Sequence, residues 1–217
     1  MVKTVILTNI KDVAKTAPKK NKGTNRRTRT ETIKFLTEDE LKRLMKAISK
    51  EGSKRDKAIF LTAYRHGLRP SEVGLLQVSD IDFQKMRLQN HRLKGSYSGV
   101  NSIQPDEARI LKSYLKSRNS DSPYLFLSKR GLPISRQMLD VLMRKYGALA
   151  GIPDDKQHFH VLKHSIATHL MDSGADIKFV QDWLGHANIQ NTEIYAKLTG
   201  ASRAKKAREH FLKMPKF

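Results

Sequence analysis

The chain has 217 residues and carries 42 lysine and arginine residues against 21 aspartate and glutamate residues, a formal net charge of +21. It has no cysteine, which excludes a disulfide-stapled fold, a thiol nucleophile and any cysteine-ligated metal centre. No apolar run approaches the ~18 residues that a membrane span needs, and 38% hydrophobic residues are enough for a packed core. Because the excess charge favours a polyanion, nucleic acid is the leading candidate partner, ahead of a membrane surface.

Basic residues are concentrated at both ends of the chain. Residues 1–30 contain nine lysines and arginines against Asp12 alone, and residues 199–217 contain six against Glu209 alone. Few of the first thirty residues are apolar, so we expect residues 1–34 to be a flexible basic arm that orders on a phosphate backbone. The arm residues expected to contact DNA are Lys19, Lys20, Arg26, Arg27 and Arg29. The alternative is a solvated tail that serves solubility.

Hydrophobic periodicity predicts a mainly α-helical fold with a small antiparallel β-sheet, an α+β domain over residues 35–198. Thr37 and Glu40 form a capping-box pattern ahead of an apolar stripe, which predicts a helix that ends at Gly52. Pro70 suits the first turn of a short helix. The other predicted helices cover residues 54–65, 105–115, 135–147, 160–171, 177–184 and 192–198.

A change of period in the middle of the chain predicts the strands of the sheet. Residues 81–83 and 86–93 are predicted to be short strands, a turn follows at residues 95–99, and residues 100–103 are predicted to form the next strand. Residues 124–127 are predicted to be a short buried strand, because they form an apolar run after a loop.

Several basic and imidazole groups lie where they could hold or protonate a phosphate. Arg69 stands in a tight turn that leads into a helix, where backbone donors and the helix dipole favour an anion. Lys94 lies at a hairpin tip, from which a long ammonium group can reach a leaving oxygen. His160 and Lys163 are three residues apart on one helix and therefore share a face. For Arg69, the alternative is an ordinary surface arginine that pairs with Glu72. For Lys94, the alternative is an ordinary exposed lysine of a hairpin.

His160 and His164 have the spacing of helical metal ligands. A zinc site of this kind needs further ligands, and neither a third imidazole nor the glutamate of the zinc proteases stands at the required position. We therefore expect no metal and no cofactor.

Tyr195 follows His186 by nine residues near the end of the predicted domain. A phenol has a pKa of about 10, so it attacks phosphorus only where neighbouring cations stabilise the phenolate and the charge on phosphate. Taken alone, Tyr195 and Trp183 are both predicted to be core residues. A phosphodiester in its transition state needs cations, an acid and a base. The candidate set that contains all of these is Arg69, Lys94, His160, Lys163, His186 and Tyr195.

The order and spacing of these residues resemble the tyrosine recombinase, or phage integrase, family over residues 37–198. Residues 64–76 read Tyr-Arg-His-Gly-Leu-Arg-Pro-Ser-Glu-Val-Gly-Leu-Leu and resemble the first arginine motif of the family, with Glu72 at its acidic position. Lys94 takes the place of the family's hairpin lysine.

The second half of the chain carries two further family motifs. Residues 160–170 resemble the central His-x-x-Arg box, although Lys163 stands where the family has its second arginine. Residues 184–186, with Thr192 and Tyr195, resemble the closing motif, in which a histidine precedes the nucleophilic tyrosine by nine.

The resemblance implies that Tyr195 attacks the scissile phosphate, forms a 3′-phosphotyrosyl bond and frees a 5′-hydroxyl. Since the covalent bond conserves energy, rejoining needs no ATP and no metal. The other implied roles are phosphate holding by Arg69 and Lys163, protonation of the leaving 5′ oxygen by Lys94, proton transfer by His160, phosphate hydrogen bonding by His186 and support of these groups by Glu72.

Two departures from the family pattern change these expectations. Lys163 keeps the charge of arginine but loses its two-pronged grip on a phosphate, so we expect a working but slower clamp, with an inactive copy as the alternative. Restoring arginine at this position is predicted to raise the cleavage rate. Only about thirty-five residues precede the first predicted helix, so the chain is expected to be a short, catalytic-domain-only member or a fragment.

The resemblance also implies partners and a location. We expect the chain to bind double-stranded DNA and to assemble on it as a tetrameric synapse. An accessory DNA-bending protein is a further candidate partner, and the expected location is the cytoplasm, where the protein would be bound to DNA. Residues 199–217 are a candidate helix exchanged with a neighbour, or one packed on its own subunit. The rival functions are a type IB topoisomerase-like nicking–closing enzyme and a non-catalytic DNA-binding regulator. An RNA-binding domain is a further alternative, but the sequence contains no aromatic-rich strand motif that would favour it.

Overall fold

The computed structural model describes residues 33–93, 95–198, 207–208, 211–212 and 214. The predicted basic arm up to residue 32, Lys94 and most of the C-terminal tail lie outside the described residues. Between residues 33 and 198, the described part of the chain forms the helices α1 (Glu38–Glu51), α2 (Lys54–Arg65), α3 (Pro70–Leu75), α4 (Pro105–Ser117), α5 (Arg136–Leu149), α6 (Val161–Asp172), α7 (Ile177–Leu184) and α8 (Gln190–Leu198). The strands are β1 (Ile81–Asp82), β2 (Arg87–Asn90) and β3 (Gly99–Ser102).

The first helix begins and ends at the predicted residues. The amide of Thr37 donates to Glu40 Oε2 at 2.7 Å, and the amide of Glu40 donates to Thr37 Oγ1 at 3.2 Å, so the capping box is confirmed. Leu44 and Ile48 are fully buried on the predicted apolar stripe, and Gly52 ends the helix. Local capping and periodicity were therefore sufficient to place α1.

The second helix forms the centre of the main core. It covers the predicted residues, and its Phe60 ring meets Tyr146 and Phe159 edge-on, with ring centroids 5.8 and 5.2 Å apart. Such aromatic contacts add to the burial energy of the rings. The buried Tyr146 hydroxyl donates to Asp56 at 2.6 Å, which satisfies the polar end of the ring.

The sheet is small and antiparallel, in the order β1-β2-β3. The mainly α-helical fold with a three-stranded antiparallel sheet is thus confirmed. The predicted strand at 124–127 is wrong: these residues make only the isolated bridges Gln77↔Tyr124 and Leu127↔Pro133. A buried apolar run does not by itself specify a strand partner, and a proline on one side offers no amide hydrogen to extend a ladder.

A second, smaller cluster joins α6, α7 and α8 and contains Leu184 and Tyr195. Between α7 and α8 the chain turns at Gly185, which has a φ of +66°. The carbonyl of Gly185 accepts a hydrogen bond from the amide of Tyr97 at 3.0 Å, so the loop after β2 lies directly against this turn. Among the described residues, none of the helices is long and apolar enough to cross a bilayer.

Substituting Gly185 tests this close approach. A Cβ at this position would overlap the carbonyl oxygen of Tyr97, and the left-handed backbone adds strain. We expect Gly185→Ala to lower the free energy of unfolding by about 3 kcal/mol in urea titrations. Gly151→Ala is the matched control, because its φ is +62° and a Cβ there meets nothing within 4 Å; it should cost only about 1 kcal/mol. Equal losses would contradict the contact.

Candidate active site

Arg69 is held in place by the helix that follows it. It precedes the first turn of α3, and its Nη1 donates to Glu72 Oε1 at 2.8 Å and to Ser96 Oγ at 3.1 Å. About a quarter of the side chain (26%) is exposed. The guanidinium group is therefore anchored on one side and accessible on the other.

Glu72 is the buried counter-ion beneath Arg69. Its carboxylate also accepts hydrogen bonds from the Arg69 amide at 2.8 Å and from Arg92 Nη1 at 3.0 Å, and it is 1% exposed. Burial by itself raises the pKa of Glu72, but the amide of Arg69 and the charge of Arg92 outweigh it, so the pKa is lowered. Glu72 is thus a carboxylate that orients two guanidinium groups.

Arg92 is a residue that sequence analysis missed. Its guanidinium group donates to the carbonyls of His66 at 2.7 Å, Gly67 at 2.9 Å and Trp183 at 2.9 Å. It therefore ties the turn before Arg69 to the end of α7. No local pattern could have identified Arg92, because these partners are 25 to 91 residues away in sequence.

A cavity of about 250 Å³ opens beside Arg69. It is lined by Arg69, Pro70, Ser71, Leu93, Arg136 and His160. Two guanidinium groups and an imidazole suit the non-bridging oxygens of a phosphate. Sequence analysis also missed Arg136, although its position was informative. Arg136 is the first residue of α5, where the helix dipole disfavours a cation, so an arginine at this position indicates a bound anion nearby.

His160 lies just before α6, on the wall of this cavity. Burial, followed by the charges of Lys163 and Arg69, lowers its pKa to about 4. The imidazole is therefore neutral at neutral pH, and one of its nitrogens can accept a hydrogen bond or a proton.

Lys163 is buried under the site and does not line the cavity. It is 2% exposed, and its Nζ donates to the carbonyls of Gly67 at 2.9 Å and Leu184 at 3.2 Å. Burial, followed by the charge of Arg92, lowers its pKa well below 10.5. Two of the three ammonium hydrogens are thus used within the protein, which leaves one at most for a phosphate.

His186 and Tyr195 lie together. Their rings are stacked with centroids 6.5 Å apart, and His186 Nδ1 lies 2.9 Å from Thr192 Oγ1. The Tyr195 ring is 2% exposed, and its hydroxyl lies 2.8 Å from Nδ1 of His164. Burial raises the pKa of Tyr195 to about 12, and the positive charge of Arg69 opposes that rise.

The structure brings most of the predicted site residues to one region. Arg69 and His160 share the cavity, and Glu72 and Lys163 lie beneath it. His186 and Tyr195 adjoin these groups, and the charge of Arg69 lowers the pKa of both. The same burial, with Lys163 and Arg69, lowers the pKa of His186 to about 3. Lys94 and the predicted DNA-binding residues of the arm are outside the described residues. Within the described part of the chain, no three His, Asp or Glu side chains are grouped as metal ligands.

Comparisons with known proteins identify the family of this chain. Residues 34–201 match the phage integrase family. The chain belongs to the phage integrase family. It is 39% identical over 172 residues to "Tyrosine recombinase XerA" of Pyrococcus horikoshii, an alignment that covers 76% of this chain and 57% of the relative. The chain thus spans less than two thirds of the length of that relative.

Two further similarities extend the phage integrase assignment. "Type 1 fimbriae regulatory protein FimB" of Escherichia coli K12 is 35% identical over 181 residues, which cover 81% of this chain and 88% of FimB. A crystal structure of the XerH site-specific recombinase, a post-cleavage complex with its difH substrate, superposes with a TM-score of 0.74 at 22% identity. That match covers 88% of this chain and 57% of XerH and shows a shared fold.

Removing the charge of the buried carboxylate tests whether it organises the site. Glu72→Gln leaves two guanidinium groups without their counter-ion, so we expect the free energy of unfolding at neutral pH to fall by about 3 kcal/mol. Folding lowers the pKa of Glu72 below 4.5, so its stabilisation is complete above that value and is lost as the pH falls through the folded pKa. The difference between wild type and variant should shrink below about pH 4 in urea titrations. The exposed Glu193→Gln is the control, and an equal loss there would contradict the assignment.

Proposed function

We propose that this chain is a site-specific DNA recombinase that cuts and rejoins strands through a 3′-phosphotyrosyl intermediate. The observation that carries the proposal is the cationic cavity of Arg69, Arg136 and His160 beside the buried Tyr195 phenol. A phosphate in the cavity would meet cations on its non-bridging oxygens, as phosphoryl transfer requires. Relatives named as recombinases favour this over a nicking–closing enzyme.

Double-stranded DNA is the proposed substrate. The net charge of +21 favours a polyanion, and the cavity adds two arginines at a point where a single phosphate fits. The predicted arm contacts from Lys19 to Arg29 would add phosphate contacts outside the cavity, which strengthen binding without reading sequence.

Each site residue has a proposed role that fits its contacts. Arg69, supported by Glu72, holds the phosphate, and Tyr195 is the nucleophile. Lys94 remains the predicted acid for the leaving 5′ oxygen. Lys163 holds the Arg69 turn against the end of α7 and offers its remaining hydrogen to the phosphate.

Attack requires the Tyr195 hydroxyl to contact the phosphorus, and we propose that α8 adjusts by an amount small enough to keep this hydroxyl bonded to Nδ1 of His164. Tyr195 does not line the cavity that contains Arg69, and its hydroxyl is bonded on α6 instead. The buried residues of α8 are Thr192 and Tyr195, and Tyr195 packs in the smaller cluster and not in the main core, so movement of α8 disturbs little of the main core. Engagement of DNA is proposed to bring this hydroxyl to the phosphorus.

Recombination joins two duplexes, so we propose a homo-oligomer on DNA, with a tetrameric synapse as the complete assembly. Phe211 and Leu212 in the C-terminal tail are 70% and 71% exposed. Apolar side chains this exposed suit a contact with a second copy of the chain. An accessory DNA-bending protein and a cytoplasmic location belong to the same proposal.

A nicked suicide duplex carrying the target site tests the nucleophile. Wild-type protein should form a covalent adduct that survives SDS, because the cleaved strand diffuses away and prevents rejoining, and Tyr195→Phe should form none. Gel mobility of labelled DNA measures the adduct. The exposed Tyr97→Phe is the matched control and should react as wild type. An adduct in Tyr195→Phe would displace Tyr195, and no adduct with wild type would favour a DNA-binding regulator.

Lys163→Arg tests the phosphate clamp. Arginine has five donors where lysine has three, so it can keep both carbonyl bonds and still donate to the phosphate. We expect single-turnover cleavage to rise roughly tenfold, the effect of one charge-assisted hydrogen bond. Lys163→Met should lower both cleavage and stability, because it leaves the carbonyl of Leu184 without its donor and leaves the carbonyl of Gly67 with Arg92 alone. An unchanged or lower rate in Lys163→Arg would show that the pocket is built around the ammonium group.

A further inference from the structure

The first turn of α6 presents two imidazoles to two different parts of the site. His160 lines the cationic cavity, whereas Nδ1 of His164 lies 2.8 Å from the Tyr195 hydroxyl. The two rings are perpendicular, at 87°, with centroids 4.6 Å apart. The i,i+4 spacing that resembles a pair of metal ligands therefore places one imidazole at the wall of the cavity and one at the Tyr195 hydroxyl.

The direction of the hydrogen bond follows from the protonation states of the two groups. Burial lowers the pKa of His164 to about 3, and the charge of His160 acts in the same direction, so the ring is neutral at neutral pH. The Tyr195 phenol keeps its proton, because burial raises its pKa to about 12. With both groups in these states, we assign the phenol as the donor and Nδ1 of His164 as the acceptor, with the imidazole proton on Nε2, because this tautomer uses the phenolic hydrogen. The titratable groups that face His164 are His158, His160, Lys163, His186 and Tyr195.

We propose that His164 is the general base that takes the phenolic proton of Tyr195 during strand cleavage. The assignment rests on the proposed function and adds a residue to it. As the bond from the phenolic oxygen to phosphorus forms, the bond from phosphorus to the 5′ oxygen breaks. The phenolic proton moves to Nδ1 of His164, and the leaving oxygen takes a proton from the acid predicted at Lys94. In rejoining, an incoming 5′-hydroxyl gives its proton to the group predicted at Lys94 and attacks phosphorus, the bond from phosphorus to the phenolic oxygen breaks, and the imidazolium returns its proton to that oxygen.

Three effects make this transfer favourable as the reaction proceeds. The basicity of the phenolic oxygen falls when it bonds to phosphorus. A phosphate anion in the neighbouring cavity raises the pKa of the imidazole, and Arg69 already opposes the high pKa of the phenol. A nucleophile and a base within hydrogen-bond reach are the usual arrangement for activating a hydroxyl. His160 faces the phosphate instead, so His164 is better placed than His160 to receive this proton.

His164→Asn separates a base from a residue that only positions the phenol. The asparagine oxygen branches from Cγ as Nδ1 does, so it can still accept the hydrogen bond, but an amide takes up no proton at neutral pH. With the nicked suicide duplex, we expect the single-turnover cleavage rate to fall by about 10²–10³-fold with DNA affinity unchanged.

The same helix supplies a matched control. Nδ1 of His169 also lies 2.8 Å from a tyrosine hydroxyl, that of Tyr64, but this pair does not line the cavity. Nε2 of His169 also donates to the carbonyl of Leu36 at 2.8 Å, so His169→Asn should lower the thermal midpoint at least as much as His164→Asn while leaving the cleavage rate at the wild-type level. Equal cleavage by His164→Asn and wild type would overturn the proposal, since it would show that accepting a hydrogen bond is sufficient.

A substrate with sulfur as the 5′ leaving atom distinguishes the base from the acid. A thiolate departs without protonation, so this substrate should restore cleavage in Lys94→Ala and leave His164→Asn slow. Restored cleavage in His164→Asn would assign His164 to the leaving group and overturn the proposal. The covalent adduct of the wild type distinguishes the proposed function from the His164 assignment. If the wild type forms no adduct, the proposed function is overturned. If the wild type forms the adduct and His164→Asn cleaves as fast as the wild type, the His164 assignment alone is overturned.

Discussion

The buried carboxylate of Glu72 is the interaction on which the site depends. It binds Arg69 and Arg92 at once, and Arg92 in turn bonds the carbonyls of Gly67 and Trp183. A buried charge without a partner costs several kcal/mol, so the three ionic groups must fold together. The turn before α3, the segment after β2 and the end of α7 are therefore fixed relative to one another before any phosphate binds.

Burial also sets the proton chemistry around this cluster. Desolvation lowers the pKa of His160, His164 and His186 and raises that of Tyr195, so the imidazoles are neutral and the phenol is protonated at neutral pH. Neutral imidazoles can accept protons, and a buried phenol does not react with water. An arriving phosphate anion reverses part of this balance, because a negative charge favours imidazolium. The substrate itself would thus switch the site from its resting state to its reactive state.

Much of the fold was predictable because helices are local structures. The capping box at Thr37, the stripe of α1 and the proline that begins α3 each depend on residues within a few positions of one another. The strand predicted at 124–127 was wrong because a strand needs a distant partner, and its neighbours supply only isolated bridges. The family motifs likewise identified Arg69, His160 and Tyr195 as one group before the fold was known.

The sequence by itself determined the family, the helices and the types of charged and imidazole groups available for chemistry. Only the tertiary structure decided that Arg92 braces the site, that Arg136 joins the cavity and that His164 rather than His160 touches Tyr195. The physical reason is that side-chain hydrogen bonds act over about 3 Å, and the partners here are up to 91 residues apart along the chain. Periodicity and capping describe neighbours in sequence, whereas the packing of α6, α7 and α8 determines which distant groups meet.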